Sequence, residues 1–149
     1  MTHKNGQRTA LITGASRGLG KVLADFLAKQ GYRLIVTARG EEALQQVAAD
    51  LRPYTDVTTL AGDVTDAAHR HNLVKGAGAG LGLLINNASY LGPSPQPKLL
   101  EYPLKTLREV FESNVVAPLA LIQEALPLLK ARRGLVINLS SDAAVGAYE

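Results

Sequence analysis

Three groups of residues have types and spacings that could do chemistry. The first is Thr13-Gly14-Ala15-Ser16-Arg17-Gly18-Leu19-Gly20, which directly follows an apolar run and opens an amphipathic one. Glycines in that place let the backbone turn tightly and come close to a pyrophosphate. A helix beginning there offers free N–H groups and the positive end of its dipole to the same anion. No Gly-Lys-Ser/Thr follows, which excludes a nucleoside-triphosphate P-loop. Gly14, Ser16, Arg17, Gly18, Leu19 and Gly20 are therefore candidate dinucleotide-binding residues.

The second group is Thr37-Ala38-Arg39, at the end of the next apolar run. An acid about 20 residues beyond the glycines would hold a ribose 2′-hydroxyl, whereas an arginine accommodates a 2′-phosphate. No acid occurs here until Glu41, and Arg17 and Arg39 supply two guanidiniums able to clamp a dianion. This predicts NADP(H) over NAD(H). The third group consists of polar residues that end or interrupt apolar runs: Asp63 with Val64, Asn86-Asn87-Ala88-Ser89, Asn114, and Ser140-Ser141. Asp63 can accept from an exocyclic amine, or it simply begins a turn. Asn86 and Asn87 can tie loops together and touch a ribose, Asn86 in a structural capacity. Asn114 lies among Val110, Phe111 and Val115. Asparagine is a poor helix former, so a mid-helix Asn points to a purpose, with a solvent-facing residue as the plain alternative. His69 and His71 stand two apart and face different directions on a helix, so no metal pair is expected there.

These residues need elements to hold them. Short apolar runs alternate with amphipathic stretches along the chain. Strands are predicted at Thr9–Thr13, Arg33–Thr37, Val57–Ala61, Leu83–Ile85 and Gly134–Leu139, and helices at Gly20–Gln30, Glu41–Leu51, Thr65–Lys75 and Leu104–Leu129. Gly31 stops the first helix, Thr65 or Asp66 caps the third, and Pro118 and Pro127 are expected to bend or end the last. Strands buried on both faces and alternating with helices give a parallel sheet of βαβ units. Gly76-Ala-Gly-Ala-Gly80 precedes a strand instead of following one, and reads as a flexible connection. Gly92-Pro-Ser-Pro-Gln-Pro97 leaves the carboxyl end of a strand, as a spacer or as a substrate-side wall.

With these residues in place, the sequence resembles the short-chain dehydrogenase/reductase family from about Arg8 to the last residue. Thr13–Gly20 matches its TGxxxGxG motif, Asp63-Val64 the pair that frames the adenine, and Asn86–Ser89 its NNAG motif with Ser in the last place. Asn114 matches the asparagine of the long helix, and Ile137–Ser141 the strand that carries the family's serine, best fitted by Ser141. The resemblance implies a Rossmann-type doubly wound α/β fold with strand order 3-2-1-4-5, in one NADP-binding domain over residues 1–149. It implies hydride transfer between NADP(H) and a small-molecule carbonyl or alcohol substrate. Ser141 would polarise the substrate oxygen, and Asn114 would kink its helix and order a relay water. Asn87, Ala88 and Leu139 join the cofactor-binding set, and a homodimer or homotetramer is implied for the complete protein. The family's general acid is a tyrosine in Tyr-x-x-x-Lys, about thirteen residues beyond the serine, without which hydride transfer has no proton partner. Here Tyr148 is the only tyrosine after Ser141, with no lysine behind it. The chain therefore reads as the C-terminally truncated portion of such an enzyme, inactive alone. The alternative is a catalytically inactive dinucleotide-binding fragment or scaffold.

Composition narrows the remainder. The chain has 149 residues, 46% hydrophobic and 19% charged, which fits a folded domain and not a disordered one. It has no Cys, so disulfides, a thiol nucleophile and Cys-ligated metal are excluded. That suits a cytoplasmic protein, as does the lack of a secretory signal or an apolar stretch long enough for a membrane. A net charge of +3 without a dense basic run suits an anionic ligand and does not argue for nucleic acid.

Overall fold

The structure is a computed structural model that describes residues 7–142 and Gly146. Five parallel strands form one sheet: β1 (Thr9–Thr13), β2 (Arg33–Ala38), β3 (Val57–Ala61), β4 (Leu83–Asn86) and β5 (Leu135–Asn138). Their spatial order is β3-β2-β1-β4-β5, as the sequence predicts. The central strand β1 is buried along its whole length. Its alternate residues serve two cores, because side chains alternate across a strand. Ala10 and Ile12 pack on one face with Leu34, Val36 and Ile85, under α1 (Gly18–Lys29) and α2 (Glu41–Leu51). Leu11 packs on the other with Ile35 and Leu84, under α3 (Ala67–Gly76) and α5 (Ala117–Arg132). This two-sided burial explains why the strands read as continuous apolar runs.

The order places a switch point between β1 and β4. Connections leave these neighbours toward opposite faces, which opens a crevice at their carboxyl ends. The candidate binding residues of the sequence lie at the carboxyl ends of strands, in the turns that follow them, or in the first turn of α1, where Gly18, Leu19 and Gly20 stand. Asp66 is the cap of α3: its Oδ1 accepts from Ala68 N–H at 2.9 Å.

Two boundaries differ from the sequence reading in a way that matters. Helix α1 begins at Gly18, two residues before Gly20, after Arg17 in an extended conformation. The glycine-rich turn is thus shorter, and Leu19 belongs to the helix. The segment predicted as one helix over Leu104–Leu129 comprises α4 (Leu104–Phe111), a π-helical turn (Glu112–Val116) and α5. The prolines do not end it. Pro118 falls in the first turn of α5, where a missing N–H costs least. Helix α5 continues past Pro127 to Arg132 and closes with Arg133 in the left-handed region at φ 49°. The change of helical geometry falls at Asn114, inside the π-helical turn.

Candidate functional site

The floor of the site is a hydrogen-bonded seam between the ends of β1 and β4. The Thr13 hydroxyl accepts from the N–H groups of Asn87 and Ala88, each at 3.0 Å. The Asn87 amide nitrogen donates back to the carbonyls of Thr13 at 3.0 Å and Gly14 at 3.1 Å. One threonine and one asparagine therefore lock the glycine-rich turn to the end of β4. Gly14 has φ +68°, and a Cβ there would stand 2.9 Å from Ala88 Cα. A side chain at Gly20 would run into the Gly14 carbonyl and the Asn87 amide. The glycines thus serve two ends: Gly14 the turn, Gly20 the close approach of α1 to the seam.

Above this seam lies an open cleft of about 580 Å³. Gly14, Ser16, Arg17 and Gly18 line one side, Arg39 at the end of β2 a second, Asp63 and Val64 after β3 a third, and Asn87 with Ala88 the base. Nine of the sequence-predicted binding residues thus come together in one cavity. Gly18, the first residue of α1, lines it, and the first N–H groups of a helix have no partners within the helix. Arg17 and Arg39 are both exposed and both line the cleft. Asp63 faces them across the cleft, and the N–H of Thr65, at 2.9 Å from its carboxylate, holds that carboxyl below the ordinary range. The Thr65 hydroxyl and the Arg39 charge push the same way, against the opposing effect of burial. The carboxylate therefore presents accepting oxygens at neutral pH.

Other predicted residues stand elsewhere. Leu19 and Gly20 lie outside the lining, Leu19 exposed on α1 and Gly20 buried beneath the turn. Leu139 is placed by its N–H, which donates to the Asn86 carbonyl at 3.0 Å. Asn86 itself donates to Asn138 Oδ1 at 2.8 Å and so ties β4 to β5, the structural role expected for it. Asn114 uses both ends of its amide on one residue: Oδ1 accepts from Tyr90 N–H at 2.8 Å, and Nδ2 donates to Tyr90 O at 2.9 Å. The π-helical turn is thereby fastened to the loop after β4. The Ser141 hydroxyl donates to Asp142 Oδ1 at 3.0 Å. Tyr148 lies outside the described residues.

The cleft also takes in Thr37 and Ala38, which precede Arg39 in the second group, and residues that sequence reasoning passed over: Gly40, Ala43, Gly62, Tyr90 and Ser113. Thr37 and Gly62 gave a signal, a polar or small residue ending an apolar run. Tyr90 and Ser113 gave none, because they meet the cleft only through the Asn114 tie.

The short chain dehydrogenase family matches residues 8–149. The chain is 34% identical over 148 residues to the rhamnolipids biosynthesis 3-oxoacyl-(acyl-carrier-protein) reductase of Pseudomonas aeruginosa, covering 94% of this chain and 57% of that protein. It is 36% identical over 144 residues to serine 3-dehydrogenase of Rhizobium radiobacter, covering 94% and 56%. Among solved structures, the alcohol dehydrogenase of the archaeon Thermococcus sibiricus complexed with 5-hydroxy-NADP is similar with TM-score 0.87 and 28% identity, over 96% of this chain and 62% of that one. The Pseudomonas aeruginosa RhlG/NADP complex is similar with TM-score 0.83 and 33% identity, over 95% and 57%. The chain spans only 56% and 57% of the length of the two curated relatives.

Proposed function

The chain belongs to the short chain dehydrogenase family, and from that premise we propose that it binds NADP(H) in the cleft and contributes to an oxidoreductase acting on a small carbonyl or alcohol substrate. The residues fit such a cofactor. Gly14 leaves a cradle that a Cβ would fill, and the start of α1 with Ser16, Arg17 and Gly18 would hold the pyrophosphate. Arg17 and Arg39 would hold the 2′-phosphate, Asp63 and Val64 the adenine, and Asn87 with Ala88 the ribose on the nicotinamide side. When bound, the cofactor would donate a hydride to the carbonyl in its reduced form or accept one from the alcohol in its oxidised form. Ser141 would hydrogen-bond the substrate oxygen and stabilise the charge that develops on it. Asn114 keeps the Tyr90 loop in place through one bond at each end of its amide, and the second Nδ2 proton and Oδ1 lone pair would serve to order a relay water.

The chain covers 57% and 56% of the length of its two curated relatives. The reductase activity is accordingly proposed for the whole protein. Assembly is proposed to run through the exposed apolar side of α4 and α5.

The observation that carries the cofactor reading is the pair Arg17 and Arg39 on the cleft wall, with no acid at the end of β2. The NADP complexes among similar structures support it. Titration of the protein with NADPH and NADH tests it, comparing wild type with Arg39→Asp. A charge-assisted bond contributes about 1.5–3 kcal/mol, so the variant should lose roughly 10- to 100-fold for NADPH. NADH affinity should change little. Equal weakening of both would show that Arg39 does not read the phosphate.

A further inference from the structure

The wall of the cleft at the end of β3 is held from behind by two residues that do not line it. His69, in the first turn of α3, is 8% exposed. Its Nε2 lies 2.8 Å from the Thr37 hydroxyl, which is fully buried. Thr37 in turn accepts the Ala15 N–H of the glycine-rich turn on its carbonyl, at 3.0 Å. The other side of the imidazole lies against Gly62. A Cβ at Gly62 would fall on the ring's Nδ1, Cε1 and Cγ. Gly62 does not have the left-handed backbone that would call for glycine; the ring is what requires it. Gly62 N–H is also bonded to the Ala38 carbonyl at 3.0 Å. The next residue, Arg70, is buried too, and its Nη1 donates to the carbonyls of Val64 at 2.8 Å and Thr65 at 2.9 Å. Its Nε faces Glu124 of α5 at 3.6 Å, an ion pair too long for a hydrogen bond. Three residues of this segment, Gly62, Val64 and Thr65, are therefore gripped by the start of α3.

We propose that His69 is a positioning residue for the adenosine-phosphate half of the cleft: wedged between Thr37 and Gly62, its ring sets the distance between the wall that carries Arg39 and the wall that carries Asp63 and Val64. This rests on the cleft being the dinucleotide site. The residue type follows from the two contacts. A flat ring fits the face of a glycine, where a branched side chain would push the loop outward. A polar edge is needed as well, because a leucine would leave the buried Thr37 hydroxyl without its partner. Binding groups on two different strands must keep their spacing for a ligand that spans them, since misplacement weakens both contacts together.

The test uses 2′,5′-ADP as probe, with calorimetric titration of the wild type, His69→Ala, His69→Gln, Gly62→Ala and the double variant Gly62→Ala/His69→Ala. His69→Ala should weaken binding about tenfold. His69→Gln, which keeps a polar group for Thr37, should recover most of that loss. Gly62→Ala should weaken binding when the ring is present and cost much less once the ring is gone. Leu73→Ala, a fully buried position on the same helix, serves as the control: it should lower thermal stability and leave the affinity unchanged. If His69→Ala does not fold, Gly62→Ala and His69→Gln with their double variant complete the cycle. Independent losses from Gly62→Ala and His69→Ala, or equal weakening by Leu73→Ala, would overturn the role of His69. A wild type that binds 2′,5′-ADP with no measurable affinity would overturn the reading of the cleft itself and this role with it.

Discussion

At the scale of single residues, the polar groups around the cleft are held in defined protonation states by what surrounds them. Burial keeps the His69 ring below its ordinary value of 6.5, against the opposing pull of Asp66 and Asp63. The Thr65 N–H keeps Asp63 below its ordinary 3.8. Both shifts act on stability in the same direction. A depressed histidine takes up its proton more readily in the unfolded chain, so protonation favours unfolding. A depressed carboxylate does the same at lower pH. The His69 contribution is fully present above about pH 6.5 and is lost as pH falls from there through the folded value, with Asp63 following below about pH 4. Urea unfolding from pH 8 to pH 5 should show stability falling on the acid side. In His69→Gln, which cannot titrate, that part of the fall should disappear. A variant curve parallel to the wild type across this range would show that the ring is not buried neutral.

At the scale of elements, the chain declares most of its organisation locally. The three central strands β1, β2 and β4 were legible because they are buried on both faces and must be largely apolar, as Leu34, Ile35 and Val36 illustrate. The glycine-rich turn was legible because Gly14 and Gly20 meet demands that only glycine satisfies. What stayed hidden are the links that depend on distant partners. Nothing near Tyr90 in the sequence announces that Asn114 fastens its backbone, since 24 residues separate them. The grip of His69 on Gly62 is equally silent, because a histidine on a helix has the same local appearance whether it faces water or a loop. The prolines misled for a related reason. Propensity penalises Pro127, but tertiary packing of Leu121, Ala125 and Leu129 on the sheet outweighs it. Pro127 stands at an exposed position inside α5, so its replacement should cost no packing. Pro127→Ala is expected to stabilise the protein, by up to about 3 kcal/mol, less whatever the proline gains by stiffening the unfolded chain. Chemical denaturation measures this directly. An unchanged or lower stability would mean that the ring makes a contact worth as much as the missing helical bond.

At the scale of the whole molecule, the apolar surface is unevenly covered. Strand β5 is exposed along its length, with Leu135 68% accessible, and only its β4 side is paired among the described residues. An unpaired edge of this kind can recruit another chain. A separate stripe runs along the outer side of α4, the π-helical turn and α5, where Phe111, Val115, Leu119 and Leu126 are about half exposed. The two surfaces make different predictions for how copies would meet. In a two-fold dimer the stripe would contribute twice, and half-burying eight such side chains yields on the order of 8 kcal/mol. Association costs about 4–15 kcal/mol in lost freedom, which leaves the stripe alone at most about 4 kcal/mol, a dimer dissociating near millimolar concentration unless further contacts add to it. Sedimentation across a concentration series should show that equilibrium. Leu119→Arg should hold the protein monomeric, because a two-fold contact would bury the new charge twice without a partner. Its affinity for 2′,5′-ADP should remain that of the wild type, since Leu119 does not line the cleft. Val136→Lys tests the other surface: it changes the β5 edge and leaves the stripe intact. Loss of the dimer in Val136→Lys with retention in Leu119→Arg would assign association to the sheet edge and overturn the helical stripe as the interface.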